Sequence, residues 1–233
     1  ITLRQLLTMS SGFQTARSTE LGSHYIQMHF GSDVEEIVRD AHPVAEPGKA
    51  FAFDNDNSHA IGLVIERATG EPYAGYLSRV LWQQIGADHA KVVVDREGGR
   101  AYAYCCVLST ARDWVRIGQM LLQNGRWGDR RIVNADWVAQ MRTPSAANPD
   151  FGLQVYLGAA WMNPKMNWFF AAQQKSLEPS AAPDLFYATG AGGQQLAIMP
   201  ADELVVLRLG KASPAWRDQK LPNLLHRALT AKP

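Results

Sequence analysis

Helical patterns fill the first two-thirds of this chain and short β-branched apolar runs its last third, an order that predicts an α+β domain. Three observations carry that expectation. Capped segments with apolar residues at helical spacing recur as far as Met141. Three apolar runs then follow one another, separated by turn residues. A further amphipathic helical stretch comes after them.

The elements follow in order. Residues 1–9 put Leu3, Leu6 and Leu7 at helical spacing, and Ser10-Ser11-Gly12 ends the pattern. Ser32-Asp-Val-Glu35 is a capping-box pattern opening a short helix to Arg39. Pro47-Gly48 marks a turn. Over residues 57–69, Ile61, Val64, Ile65 and Ala68 share one face, with capping residues at Asp56, Asn57 and Ser58 and a C-terminal cap at Gly70. Pro72 starts the next helix, whose inner face holds Tyr73, Tyr76, Leu77, Val80 and Leu81. Residues 91–94 read as a short strand. Thr110 caps a helix carrying Trp114, Ile117, Met120 and Leu121, which Asn124-Gly125 ends. Asn134 opens another through Met141. Residues 151–157 alternate as a strand, and residues 163–183, rich in Pro, Ala and Gln, read as a loop. Runs 185–187, 195–199 and 204–209 form a strand meander broken by Gly192-Gly193 and Pro200-Ala-Asp-Glu203, and a helix follows at 221–229. One domain is expected over residues 1–233, mainly helical over 1–142 and sheet-forming over 143–233.

The composition narrows the function. Of 233 residues 46% are hydrophobic, and 23 Lys and Arg against 22 Asp and Glu leave a formal net charge of +1. No basic cluster stands out, which argues against a nucleic-acid partner. No apolar run reaches the roughly 18 residues of a membrane helix. The six histidines include no H-E-x-x-H pair, and surface or packing roles are expected for them. Asp54, Asp56 and Asn57 lack the glycine and distal glutamate of a calcium loop, so no metal is expected there. No phosphate-cradling glycine loop and no G-x-S-x-G elbow occurs. Neither metal nor cofactor is called for. Cys105 and Cys106 are adjacent, where bridging is rarely unstrained, and packing as small residues is the expectation.

Four stretches, taken in order, resemble the serine β-lactamase and penicillin-binding-protein superfamily, and most of all its class C-like esterase and 6-aminohexanoate-dimer hydrolase branch. They are Ile1-Thr-Leu-Arg-Gln-Leu-Leu-Thr-Met-Ser-Ser-Gly12; Pro47-Gly48 with Phe51-Ala-Phe-Asp-Asn-Asp-Asn-Ser-His59 and Glu66-Arg-Ala-Thr-Gly70; Ala111-Arg-Asp-Trp114 with Asn124-Gly-Arg-Trp127; and Ala188-Thr-Gly-Ala-Gly-Gly-Gln194. The resemblance implies a β-lactamase-like fold. It also implies acyl transfer through a serine ester, with a small ester or amide as substrate and no cofactor.

That chemistry rests on three motifs: Ser-x-x-Lys for the nucleophile, Tyr-x-Asn for proton transfer, and a Lys/His-Thr/Ser-Gly strand beside the oxyanion hole. No serine in this chain has a lysine three positions on, so the nucleophile is expected on a segment preceding Ile1, the chain being read as N-terminally truncated. The second motif falls on Phe53-Asp54-Asn55. Asn55 matches, but Phe53 stands at the tyrosine position and has no hydroxyl to move a proton. The third falls on Ala188-Thr189-Gly190, with Ala188 at the cationic position and Ala191 offering its backbone N–H as oxyanion donor. Asn55 and Ala191 are the candidate catalytic contacts. Phe53, Asp54, Ala188, Thr189 and Gly190 are the candidate substrate contacts. Asp54, Tyr102 and Tyr104 are weighed as stand-ins for the missing phenol. A non-catalytic binding or scaffold role is the alternative that Phe53 and Ala188 suggest. Resemblance to exported relatives points to a periplasmic or secreted location.

Overall fold

The computed structural model describes residues 1–13, 21–158, 180–211 and 218–231, and the chain divides into two compact units, Ile1–Ser109 and Thr110–Pro233.

The first unit is mainly helical. α1 (Leu3–Leu7) opens with a reciprocal capping box, in which Thr2 takes the Gln5 N–H and the Gln5 side chain takes the Thr2 N–H. Of its three leucines only Leu6 is buried. α2 (His24–Phe30) was not anticipated, although Ser23 caps it by accepting the Ile26 N–H. α3 (Val34–Arg39) starts at the Asp33 cap and buries Val34 and Val38. α4 (Asn55–Thr69) is the longest helix described here. It ends at Gly70, whose φ of +71° suits a residue without a Cβ.

Its start corrects the expectation of caps at Asp56 to Ser58. Asp54 is the N-cap, extended at φ −143° and ψ 136°, with its carboxylate accepting the Asp56 N–H at 3.0 Å. Asp56 and Asn57 are buried within the first turn instead.

The helix after Pro72 changes form: α5 (Tyr73–Leu77) passes into a π-helical turn at Ser78–Trp82. None of the residues of α5 is buried, and the inward contact moves on to Trp82 and Ile85. β1 (Lys91–Val92) pairs antiparallel with β2 (Val107–Leu108), a strand too short to show a period. Met28, Val34, Val38 and Tyr102 form the core of this part, with Ile37, Ala60, Leu63, Tyr104 and Cys105 against it. Arg100 bridges Glu35 of α3 and Glu66 of α4, and Glu66 also accepts the Tyr73 N–H that opens α5. Contrary to the sequence expectation, Cys105 and Cys106 are joined as a disulfide, with Cys106 at φ +72°.

The second unit is a four-stranded antiparallel sheet, ordered β5 (Tyr156–Leu157), β6 (Phe186–Gly190), β7 (Gln194–Met199), β8 (Leu204–Arg208), with a helix on each face. Alternation explains the two layers. Phe186, Leu196 and Ile198 face α6 (Ala111–Leu122), meeting Ile117, Leu121 and Leu122. Tyr187, Ala197 and Met199 face the other way, where Leu225 of α8 (Lys220–Thr230) packs. Gly118 lets α6 come close, since a Cβ there would stand 2.5 Å from Val205 Cγ1 and 3.0 Å from Leu196 Cδ1. A small hairpin of β3 (Arg126–Trp127) and β4 (Arg130–Arg131) precedes α7 (Ala135–Met141), which buries Val138.

The meander and the closing helix match the expected runs, and β6 extends three residues past the anticipated 185–187. The expected strand at 151–157 is confined to Tyr156–Leu157. Phe151, Leu153 and Val155 are buried, but in a folded-back loop where the Gly152 N–H reaches the Val155 carbonyl and the Leu153 N–H that of Met141. The alternation of apolar residues there belongs to that loop and not to a ladder. Most of the expected 163–183 loop lies outside the described residues.

Candidate active site

The candidate residues fall into two groups, one at the start of α4 and one at the end of β6. In the first group the chain runs extended through Asp54 and turns into helix at Asn55, so Asn55 is the first helical residue. Phe53 and Asn55 are half-buried and Asp54 is buried.

The groups around this turn come largely from α2. His24 Nε2 lies 2.8 and 3.0 Å from the two carboxylate oxygens of Asp56. Its hydrogen bond to Asp56 raises the His24 pKa, against the opposing effect of its partial burial. His29, one turn further on, meets Asn55: Asn55 Nδ2 is 3.4 Å from His29 Nε2. The other ring nitrogen, Nδ1, is 2.8 Å from the Tyr25 carbonyl. His59 is buried inside α4, where burial lowers its pKa. Its Nδ1 accepts the Ala103 N–H at 3.4 Å, while its Nε2 has no hydrogen-bond partner.

Each weighed stand-in for the missing phenol already has a structural job. Tyr104 donates its hydroxyl to the Met28 carbonyl and Tyr102 donates to that of Gly31, both at α2. Burial raises both phenol pKa values, which favours the protonated donors those bonds need. The Asp54 carboxylate caps α4. Histidines expected only on the surface or in packing thus include two, His24 and His29, that hold the first turn of α4. Sequence reading missed them because α2 was not recognised; the Ser23 cap was the available signal.

The second group is a strand end. Ala188, Thr189 and Gly190 continue β6 beyond Tyr187 and are exposed, as is Ala191 just after them. They pair with β7, at Leu196, Gln195 and Gln194 respectively. On the other side β5 reaches only to the Tyr156–Tyr187 pair. Among the described residues, therefore, positions 188–190 have a strand on one side only. Such an edge presents backbone N–H and C=O groups to whatever lies beside it. The Thr189 hydroxyl donates to the Gln194 carbonyl at 3.2 Å. A Cβ added at Gly190 would meet nothing closer than Gln194 Cβ at 3.6 Å, so its glycine keeps this edge low without being forced by its neighbours.

A mainly helical unit followed by an antiparallel sheet covered by helices fits one class of fold, and the Beta-lactamase family profile matches residues 1–229: the chain belongs to that family. Among individual relatives, the 6-aminohexanoate-dimer hydrolase of Paenarthrobacter ureafaciens is 33% identical over 88 residues, which is 38% of this chain and 22% of that protein. A proposed 6-aminohexanoate-dimer hydrolase from Bacillus anthracis superposes with a TM-score of 0.72 at 20% identity, over 98% of this chain and 60% of the other. EstCE1, a hydrolase with promiscuous acyltransferase activity, gives 0.68 at 16% identity, over 99% and 72%. The structural likenesses show the fold. The chain thus spans under a quarter of the curated relative and three-fifths of the Bacillus anthracis protein.

Proposed function

We propose that the complete protein is a serine hydrolase that cleaves a small ester or amide through an acyl-serine intermediate, with its Ser-x-x-Lys motif on a segment preceding Ile1. The observation that carries this reading is the family match over residues 1–229, together with Asn55 at the first residue of α4. In the first step the serine oxygen bonds to the substrate carbonyl carbon, the alcohol or amine leaves with a proton, and water later releases the acid. Asn55 contributes a polar contact to the lysine or substrate. Ala191 offers its N–H to the developing oxyanion, Thr189 and Gly190 border the substrate, and Phe53 supplies an apolar wall.

Leaving-group protonation is the weak step, because Phe53 carries no hydroxyl. A general acid or base is worth about 10²–10⁴-fold in rate. Activated esters, whose leaving groups need little protonation, should therefore be turned over much better than amides. The test is a fluorophosphonate label and a p-nitrophenyl acetate assay on the complete protein. Labelling with slow ester turnover supports the proposal, and Phe53→Tyr should then raise amide hydrolysis by about 10-fold or more. Neither label nor turnover would favour the second reading, a binding protein that keeps the fold. The observation behind that alternative is that Tyr102, Tyr104 and Asp54 are all committed to backbone partners.

A further inference from the structure

We infer that His29 is a positioning residue that fixes which way the Asn55 amide faces, a role that rests on the hydrolase reading for its catalytic purpose. The reasoning begins with the imidazole's own proton. Its Nδ1 sits 2.8 Å from the Tyr25 carbonyl, one turn back on α2. A carbonyl oxygen only accepts, so Nδ1 carries the hydrogen. In the neutral ring Nε2 is then a bare lone pair, and it is this atom that lies 3.4 Å from Asn55 Nδ2.

The ring is held as well as tautomerically defined. Tyr25 lies against it with centroids 4.3 Å apart, and Tyr104 meets it edge-on at 5.8 Å. Tyr104 is itself anchored through its hydroxyl on the Met28 carbonyl. An acceptor is thereby aimed at the first residue of α4 by a ring with little freedom to turn.

The consequence falls on the amide. With its NH₂ toward His29, Asn55 turns its carbonyl oxygen the other way. The flipped amide would set Oδ1 against the Nε2 lone pair, acceptor against acceptor, and neutral His29 therefore selects one orientation. The outward group is then an acceptor, suited to a lysine ammonium or a substrate N–H and not to a second acceptor. An asparagine free to flip offers both; this one offers a single sign. Its neighbour Phe53 cannot contribute a hydroxyl to that choice, so His29 supplies the orienting contact from another helix.

The test uses the complete protein. His29→Phe keeps a planar ring but removes the acceptor, whereas His29→Gln keeps an acceptor oxygen. His29→Phe should lower kcat on p-nitrophenyl acetate by about 10- to 100-fold with a smaller change in KM, the scale expected when a contact is misplaced. His29→Gln should recover most of that loss. Combined with Asn55→Ala, His29→Phe should cost nothing further, because both act through one contact. The Asn55 side-chain NH₂ resonances, assigned by their loss in Asn55→Ala, should shift in His29→Phe and not in His29→Gln. Additive losses, a Gln variant as poor as the Phe variant, or NH₂ resonances unmoved by His29→Phe would each overturn the inference. If the complete protein neither labels nor turns over ester, the hydrolase reading falls by itself, and the resonances alone decide: moved, the orienting role stands; unmoved, it falls too.

Discussion

At the scale of single residues, His24 on α2 and His59 inside α4 do opposite electrostatic work. His24 has a raised pKa because it meets the buried Asp56. A group whose folded pKa is raised adds stability that is complete below its unfolded value, near 6.5, and is lost as the pH climbs through the folded value. The contact between α2 and α4 should accordingly weaken as the pH rises above 6.5 and through the raised folded value, seen as faster amide hydrogen exchange in α2 after correction for intrinsic rates. His24→Ala should abolish that dependence and cost about 1–3 kcal/mol, the scale of a hydrogen bond to a charged group. His59 runs the other way, its pKa lowered by burial, so it favours the fold at higher pH. Exchange confined to α2 separates the two. The motif proposed at Phe53-Asp54-Asn55 rests on a match local in sequence. The His29 contact was not legible there, since it joins residues 26 positions apart through a helix whose pattern of His, Tyr, Gln and Met carries no clear apolar stripe.

At the scale of elements, legibility followed length and capping. α6 and α7 announced themselves through Thr and Asn at their starts, and α4 through its polar run, although its cap proved to be Asp54 and not Asp56 to Ser58. The meander was visible because its runs are apolar on both faces, as a sheet covered by α6 and α8 requires. β1 falls within the strand read at 91–94, but its partner β2, two residues long, was beyond reach: nothing in so short a segment specifies what it pairs with. The loop around Phe151 misled because its apolar residues alternate in sequence as a strand's would, while the chain folds back on itself and buries Phe151, Gly152, Leu153 and Val155 together. Close packing makes α6 a sensitive element. Gly118→Ala drives a methyl into Val205 and Leu196 and should destabilise the protein by about 1–3 kcal/mol, measured by urea denaturation. An alanine at Gly70, where nothing lies within 4 Å, would instead strain only its own backbone.

At the scale of the molecule, both units leave apolar side chains in water. Leu3, Val64 and Leu108 are exposed in one, Leu209, Leu224 and Leu229 in the other, and β8 is paired on one side only among the described residues. If the protein carries a preceding segment with the nucleophile, as proposed, that segment should cover part of this surface. The longer protein should then melt higher than residues 1–233 alone, by about 2–4 °C per kcal/mol gained in a chain of this size. Equal midpoints would count against it. The one-sided strand end at positions 188–190 carries a last consequence, for life at high concentration. A backbone open to a guest molecule is equally open to the same backbone on a neighbouring copy, and long flat edges of that kind make proteins stick. Among the described residues the opening is three residues long, stopped by β5 on one side and by the Gly192-Gly193 turn on the other. That is shorter than an ordinary strand of about five or six residues. A short guest can lie along it, while another copy gains too few rungs to hold on.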